Sequence, residues 1–233
     1  MKVYSNQLNS TGLELINLPT GNFDAGIYFL VVYKEKKGRV QVLMGRRGNS
    51  AKFQPGYYVF PGGVKERWDN STNFINHLDK KSVKDMGVSN NQSKAHALAM
   101  TAIREAYEEV GLVFGIQTHK TQKIVNKNWR FFHENNIYPD LGALEYLGRA
   151  ITPHYLPIRY HARFFSIAFE HHFCTEEVDG ELEDIQWVDL SDPYKIKMMG
   201  VQKMILEILK TRIKTGRLTP KFLFFKWNRK NII

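Results

Sequence analysis

From Ala97 to Val110 the chain reads as one helix with two unlike faces. At about 100° per residue, Ala99, Ile103, Ala106 and Val110 fall within an arc of about 60°. Glu105, Glu108 and Glu109 fall roughly opposite. Gly111 follows, a residue suited to the left-handed conformation that ends a helix. One side of the helix must therefore pack while the other presents three carboxylates. Glutamates spaced i, i+3 and i+4 repel one another when ionised, and a cation among them relieves the repulsion. Oxygen-only ligand sets suit hard cations such as Mg²⁺ or Mn²⁺, which bridge carboxylates to substrate phosphates. Arg104, four residues before Glu108, is placed to brace that carboxylate. Taken alone, the segment also fits a hydrated acidic surface.

The elements around this helix alternate. Gly26–Tyr33 reads as a buried strand, Lys34–Arg39 as a charged turn and Val40–Met44 as the returning strand of a hairpin. Tyr57–Phe60 reads as a short strand stopped by Pro61-Gly62-Gly63. Asn70–His96 is polar throughout and reads as an excursion with one short helix near Phe74–Leu78. Gln122–Asn135 is a second helix. Tyr146–Ile151, Arg163–Phe169 and Ile185–Val188 read as strands, and Val201–Ile213 as an amphipathic helix with Met204, Ile205, Ile208 and Ile213 on its apolar side. Interleaved strands and helices predict an α/β (α+β) layered sandwich.

Charge is unevenly placed. The chain of 233 residues carries a net charge of +10. Eight of its bases, and no acid, lie in Ile208–Ile233, so the first 207 residues carry only 10 − 8 = +2. The nucleic-acid partner that a basic chain suggests is therefore not expected of the body. The tail holds Phe222-Leu223-Phe224-Phe225-Lys226-Trp227. It can pack on the body, stack bases, touch a membrane surface or cover an oligomer interface, so a homodimer stays open. Cys174 is the single cysteine, which excludes an intrachain disulfide. No apolar run approaches the roughly 18 residues of a membrane span. The polar start MKVYSNQLNSTG does not suit a secretory signal, and KNII is not a peroxisomal address. A cytoplasmic protein is the expectation. His171-His172-Phe173-Cys174 offers soft metal ligands but lacks the second pair that a zinc site needs.

Arg104-Glu105-Ala106-Tyr107-Glu108-Glu109-Val110-Gly111-Leu112 resembles the second half of the Nudix box, G-x5-E-x7-R-E-U-x-E-E-x-G-U, where U is a bulky aliphatic residue. Ala106 departs from the U position. Phe60-Pro61-Gly62-Gly63 resembles the opening of the box, and Asp69 stands six residues after Gly63, where the box wants an acid. Arg104 then lies 41 residues after Gly63, much farther than the box allows. The excess matches the 27-residue stretch Asn70–His96.

A split box of this kind resembles the peroxisomal-type coenzyme A diphosphatases and their bacterial relatives. Ala150-Ile151-Thr152-Pro153, Arg159–Phe165 and Gly180–Val188 fit later segments of that subgroup. The resemblance implies a Nudix-type α/β/α sandwich with a mixed sheet. It implies one domain over residues 1–213, with 70–96 inserted in the box and 214–233 as a basic aromatic tail.

The same resemblance implies metal-dependent hydrolysis of a diphosphate bridge in a nucleoside diphosphate linked to a second group. Glu105, Glu108 and Glu109 would hold Mg²⁺ or Mn²⁺, with Arg104 in the catalytic set. Asp69, Glu177, Glu181 and Glu183 are candidates for base or support, beside Glu105 and Glu109 as box bases. Gly62 and Gly63 let the backbone approach the site closely.

Substrate contacts are expected from Arg47, Lys52, Gly62, Gly63 and Arg159, with Arg163 a further phosphate contact; a cross-strand structural pair is the alternative for Arg159 and Arg163. Before the box, coenzyme A hydrolases of this family carry a Leu-Leu-Thr lead followed by two arginines and G-x3-F-P-G-G. Here Leu43, Arg47 and Gly56-x3-Phe60-Pro61-Gly62-Gly63 match, while Lys52 replaces the second arginine and Met44, Gly45 and Gly48 depart. Coenzyme A or an acyl-coenzyme A, giving 3′,5′-ADP and (acyl-)phosphopantetheine, is the leading substrate. ADP-ribose, a dinucleotide or a nucleotide sugar is the alternative within the chemistry. A Nudix-derived ligand sensor or transcription regulator is the alternative outside it.

Overall fold

The computed structural model describes residues 25–51, 54–123, 126–152, 160–216 and 221–223. In chain order the strands are β1 (Ala25–Lys36), β2 (Arg39–Arg47), β3 (Tyr58–Val59) and β4 (Gly62–Val64). Helices α1 (Lys80–Asp85) and α2 (Gln92–Val110) follow, then β5 (Leu112–Phe114), β6 (Ile116–Gln117), α3 (Arg130–Glu134) and β7 (Ile137–Tyr138). The chain continues through β8 (Glu145–Ile151), β9 (Tyr160–Ala168), β10 (His172–Thr175), β11 (Leu182–Asp189), α4 (Gly200–Thr215) and β12 (Lys221–Leu223).

The main sheet runs β11-β2-β1-β9-β8-β12, with β3 on β2 and β4 on β1. It is mixed: β1 is parallel to β9 and β12 to β8, while the other pairs are antiparallel. Leu30, Val31 and Val32 of β1 are all buried, because helices cover both faces and an unbroken apolar run is what such a strand needs. On one face α2 packs Leu98, Ala99, Ala102, Ile103 and Ala106 toward Leu30 and Val32. On the other, α4 packs Ile205, Leu206 and Leu209 toward Val31, Val42 and Phe164. The layers are α/β/α, as expected. Among the described residues no helix is long and apolar enough to cross a membrane.

Several expectations need correction. The helix near Phe74–Leu78 is not formed; Ile75 makes an isolated bridge to Asp140, and the helix begins at Lys80, where the Asp79 side chain accepts from the Ser82 amide. Cap chemistry outweighed the short apolar pattern there. The polar excursion is also part of the core, burying Leu78, Val83, Met86 and Val88. Helix α2 starts at Gln92, capped by the Asn91 side chain on the Lys94 amide, so the expected insertion overlaps its first turn. Pro61-Gly62-Gly63 follows the end of β3 at Val59, as expected, but the chain does not leave the sheet there. Pro61 has no N–H to lose, its carbonyl accepts from Leu30 N at 2.9 Å, and the two glycines re-enter the sheet as β4 against Tyr28 and Phe29.

The long helix over Gln122–Asn135 shortens to a 3₁₀ turn at Lys127–Trp129 and α3. β11 begins at Leu182 rather than Ile185, with a register shift between Glu183 and Gln186. The His-Phe-Cys segment set aside above is β10, paired with β5. Three residues of the expected tail form β12 on the edge of β8; the rest of 217–233 lies outside the described residues.

The end of α2 shows why Gly111 stands there. It has φ 70°, and a Cβ on it would lie 1.9 Å from the Glu176 carbonyl oxygen. Gly111→Ala should therefore cost at least about 1 kcal/mol, since a positive φ penalises any side chain and the contact adds to it. A urea midpoint equal to the parent's would contradict this.

Candidate active site

Arg104 organises the carboxylates that the helix wheel predicts. Its side chain is 1% exposed. Nε donates to Asp69 Oδ1 at 2.9 Å, and Nη2 to Asp69 Oδ2 at 3.1 Å and to the Val64 carbonyl at 2.9 Å. Nη1 donates to Glu105 Oε1 at 2.8 Å and to Glu108 Oε2 at 2.7 Å. A guanidinium has five N–H groups in a rigid fork, and each has an acceptor here. The fork thus ties a turn, a strand and two residues of its own helix to one point.

Asp69 sits behind this fork. Besides Arg104 it accepts from the Trp129 indole at 3.0 Å, the Thr101 hydroxyl at 3.0 Å and the Glu66 amide at 2.8 Å. Thr101 lies one helical turn before Arg104, so the two reach the same carboxylate. With five donors shared by two oxygens, Asp69 aims Arg104 and has little left for a water. That geometry suits support of the site rather than a base. Trp129 and Thr101 were not singled out from sequence. Neither lies in the motif, and only the fold brings them to Asp69.

The third glutamate is held separately. Glu109 Oε2 accepts from the Gly62 amide at 2.7 Å. Gly63 beside it explains the paired glycines: a Cβ on Gly63 would lie 2.5 Å from the Glu105 carboxylate. A side chain there would push the end of Glu105 aside, so glycine leaves that carboxylate its place beside Arg104.

Burial raises all three carboxyls. Glu105 is pushed up to about 7 by desolvation, which the neighbouring Arg104 charge opposes and the Glu108 charge reinforces. Glu109 is pushed up to about 8 by desolvation, opposed by the Gly62 amide and reinforced by Glu105 and Glu181. Glu108 is also raised by desolvation, again opposed by Arg104. Gathering acids where ionisation is disfavoured leaves an unmet demand for positive charge. Among the described residues no three His, Cys, Asp or Glu groups already converge as a metal cage. Glu105 and Glu108 are turned to Arg104, and Glu109 to the Gly62 amide.

The remaining expected residues divide. Arg47 is half-buried at the end of β2, close enough for its charge to lower the Glu109 value. Glu181 acts on Glu109 in the opposite sense, and the preceding Gly180 lies against the Glu109 backbone. Glu183 instead pairs with Arg46 at 2.7 Å, and Glu177 is exposed. Arg163 is buried beneath α1 and donates to the Met86 carbonyl at 3.4 Å. Lys52 and Arg159 lie outside the described residues.

Neither a protein-family model nor a curated protein matches the chain. Solved structures do. A NUDIX hydrolase from Alicyclobacillus acidocaldarius is similar with a TM-score of 0.64 and 20% identity, covering 86% of this chain and 100% of that one. The MutT protein from Methanosarcina mazei Go1 is similar at TM-score 0.47 and 14% identity, over 82% and 96% of the two chains. The NUDIX domain of Shewanella oneidensis NrtR, solved with ADP ribose, is similar at 0.46 and 12%, over 85% and 94%. The first likeness shows that this chain has the Nudix fold.

The raised carboxyls carry a stability consequence. An unfolded glutamate ionises near pH 4.5, whereas Glu109 in the fold ionises near about 8. Between these values the unfolded state has lost its proton and the folded state has not. Metal-free protein should therefore lose stability as pH rises through that window. Glu109→Gln should flatten the loss, read as urea midpoint against pH in a chelating buffer. Parallel profiles for the two proteins would refute it.

Proposed function

We propose that this chain is a divalent-metal-dependent diphosphatase that hydrolyses the diphosphate bridge of a nucleoside diphosphate joined to a second group. The observation that carries this reading is the Arg104 fork. It holds Glu105 and Glu108 side by side, with Glu109 on the same helix, in a Nudix fold. The residues fit a hard cation. The donors are all carboxylate oxygens, their protonation is shifted by burial and mutual repulsion, and the four carboxylates stay in excess of Arg104 with Arg47 nearby. Mg²⁺ or Mn²⁺, once held by Glu105, Glu108 and Glu109, would supply the positive charge that screens the bridge and acidifies a water.

The protein's own part is positioning. Arg104 fixes the rotamers of Glu105 and Glu108, Asp69 fixes Arg104, and the Gly62 amide fixes Glu109. In the reaction, water attacks one phosphorus, the bridging P–O bond breaks and a phosphomonoester leaves. A base must take the proton from that water. Of the loop carboxylates, Glu181 is the one whose charge reaches Glu109, and we assign it that role ahead of Glu177 and Glu183. The box bases Glu105 and Glu109 are the alternative.

For substrate we favour coenzyme A or an acyl-coenzyme A. The support is the segment before the box, with Leu43, Arg47 and Gly56-x3-Phe60-Pro61-Gly62-Gly63 in place. Arg47 supplies a cation beside the carboxylates for a phosphate-rich ligand, and Lys52 and Arg159 extend this proposal.

Glu108→Gln should lower Mg²⁺-dependent turnover by about a hundredfold or more, the scale of losing one preorganised charged group. Its urea midpoint should stay near the parent's. Glu181→Gln should lower kcat with KM nearly unchanged. The assay is a panel of coenzyme A, ADP-ribose, a dinucleotide and a nucleotide sugar, with product identification. Product from ADP-ribose alone would displace the coenzyme A assignment. No product from any, with salt-sensitive DNA binding, would favour a regulator.

A further inference from the structure

The strand that leads away from Glu181 does not run straight. β11 starts on β2 with Leu182 opposite Arg47 and Glu183 opposite Arg46, and it resumes with Gln186 opposite Met44. Three steps along β11 thus match two along β2, so one residue is bulged out. Asp184 takes the turn with φ 45°, a left-handed conformation that Asp and Asn tolerate better than most side chains. Pairing continued unbroken from Gln186 would put Glu183 opposite Arg47, where Leu182 stands. A slip of one residue turns every side chain of a strand to the other face. The bulge therefore decides where Leu182 and Glu181 point.

Both sides of Glu181 are tied down in that register. Leu182 is buried and rests on Gly45, where a Cβ would lie 2.7 Å from the Leu182 Cβ. Gly180 packs against the Glu109 backbone. Glu181 lies between these two close approaches, at the carboxylate end of α2. On the bulge, Glu183 Oε2 accepts from Arg46 Nη2 at 2.7 Å, and Asp184 Oδ2 accepts from the Tyr58 hydroxyl. The Arg46 and Glu183 side chains are 31% and 51% exposed, so water weakens that pair. The Tyr58 bond comes from the core. Tyr58 is buried, pairs with Arg46 in the sheet, and its amide donates to the Lys197 carbonyl at 2.8 Å. The bond to Asp184, and burial after it, raise the Tyr58 phenol above its ordinary value, so it stays a donor at neutral pH.

We infer that Tyr58 and Asp184 are positioning residues of the reaction: their hydrogen bond holds the β11 bulge in the register that sets the Glu181 carboxylate beside Glu109. The inference rests on the assignment of Glu181 as the base. A bulge beside a site re-aims a side chain, and a side chain held in the left-handed region needs surroundings that over-determine it. Without the Tyr58 hydroxyl, Asp184 loses its link to the core, and residues 180–184 can relax toward the unbulged register. Both residues act through Glu181 rather than on the substrate.

The test is steady-state kinetics of the full chain in saturating Mg²⁺, beside amide hydrogen exchange of residues 180–184. The probe is whichever of coenzyme A, ADP-ribose, a dinucleotide and a nucleotide sugar the parent hydrolyses. Tyr58→Phe removes only the hydroxyl and should lower kcat about tenfold or more, the scale of a small misplacement, with KM nearly unchanged. Exchange at 180–184 should quicken. Asp184→Asn keeps an acceptor and tolerates the left-handed conformation, so it should retain most of the turnover that Asp184→Ala loses. Added to Glu181→Gln, Tyr58→Phe should cost nothing further, because residues that act through one another are not additive. An equal loss from Tyr58→Phe in the parent and in Glu181→Gln would overturn the inference. So would a parent-like kcat or unchanged exchange in Tyr58→Phe. A Glu181→Gln variant as active as the parent would remove the base assignment and the inference with it, while leaving the diphosphatase reading in place. No turnover by the parent on any probe would remove that reading and the inference together.

Discussion

Five N–H groups of one buried guanidinium meet oxygens from Asp69, Val64, Glu105 and Glu108, and the site's geometry depends on that closure. A charge 1% exposed is costly unless it is fully hydrogen-bonded. The surrounding chain must therefore deliver acceptors from every direction of the fork. It does so from a turn, a strand and the helix that carries the arginine. The same fork sets the side chains of two glutamates, so a structural requirement and the shape of the candidate site coincide.

Much of this was legible in sequence because it is local. The helical period of Ala99, Ile103, Ala106 and Val110, the i+4 relation of Arg104 to Glu108, and Gly111 at the end all lie within a few turns of one element. Hidden instead were partners distant in the chain. Trp129 and Thr101 reach Asp69 only after folding, and Gly62 donates to Glu109 across 47 residues. The Phe74–Leu78 helix failed for a related reason. A short apolar pattern does not decide between a helix and a core-facing loop, and the Asp79 cap starts the helix later. The polar look of Asn70–His96 likewise concealed Leu78, Val83, Met86, Val88 and Ala95, which meet the core a few at a time.

Charge has a similar history. A net +10 suggests a chain that seeks polyanions, yet the clustered carboxylates of α2 are raised by burial even with Arg104 beside them. Total charge is an average over surfaces that do not communicate across a Debye length. Local field is set by burial and by which groups face one another.

The bond between Thr101 and Asp69, 3.0 Å long, closes a ring of chain, because the segment that splits the motif leaves and returns at nearly the same place. The entropy of closing such a ring grows only with the logarithm of its length, about 0.6 kcal/mol per doubling. A long segment between the two halves therefore costs little more to close than a short one, and the arginine and its carboxylates keep their places. The segment contributes Leu78, Val83, Met86 and Val88 to the core without disturbing that geometry. Contiguity of a motif in sequence is dispensable, whereas contiguity in space is what the chemistry requires.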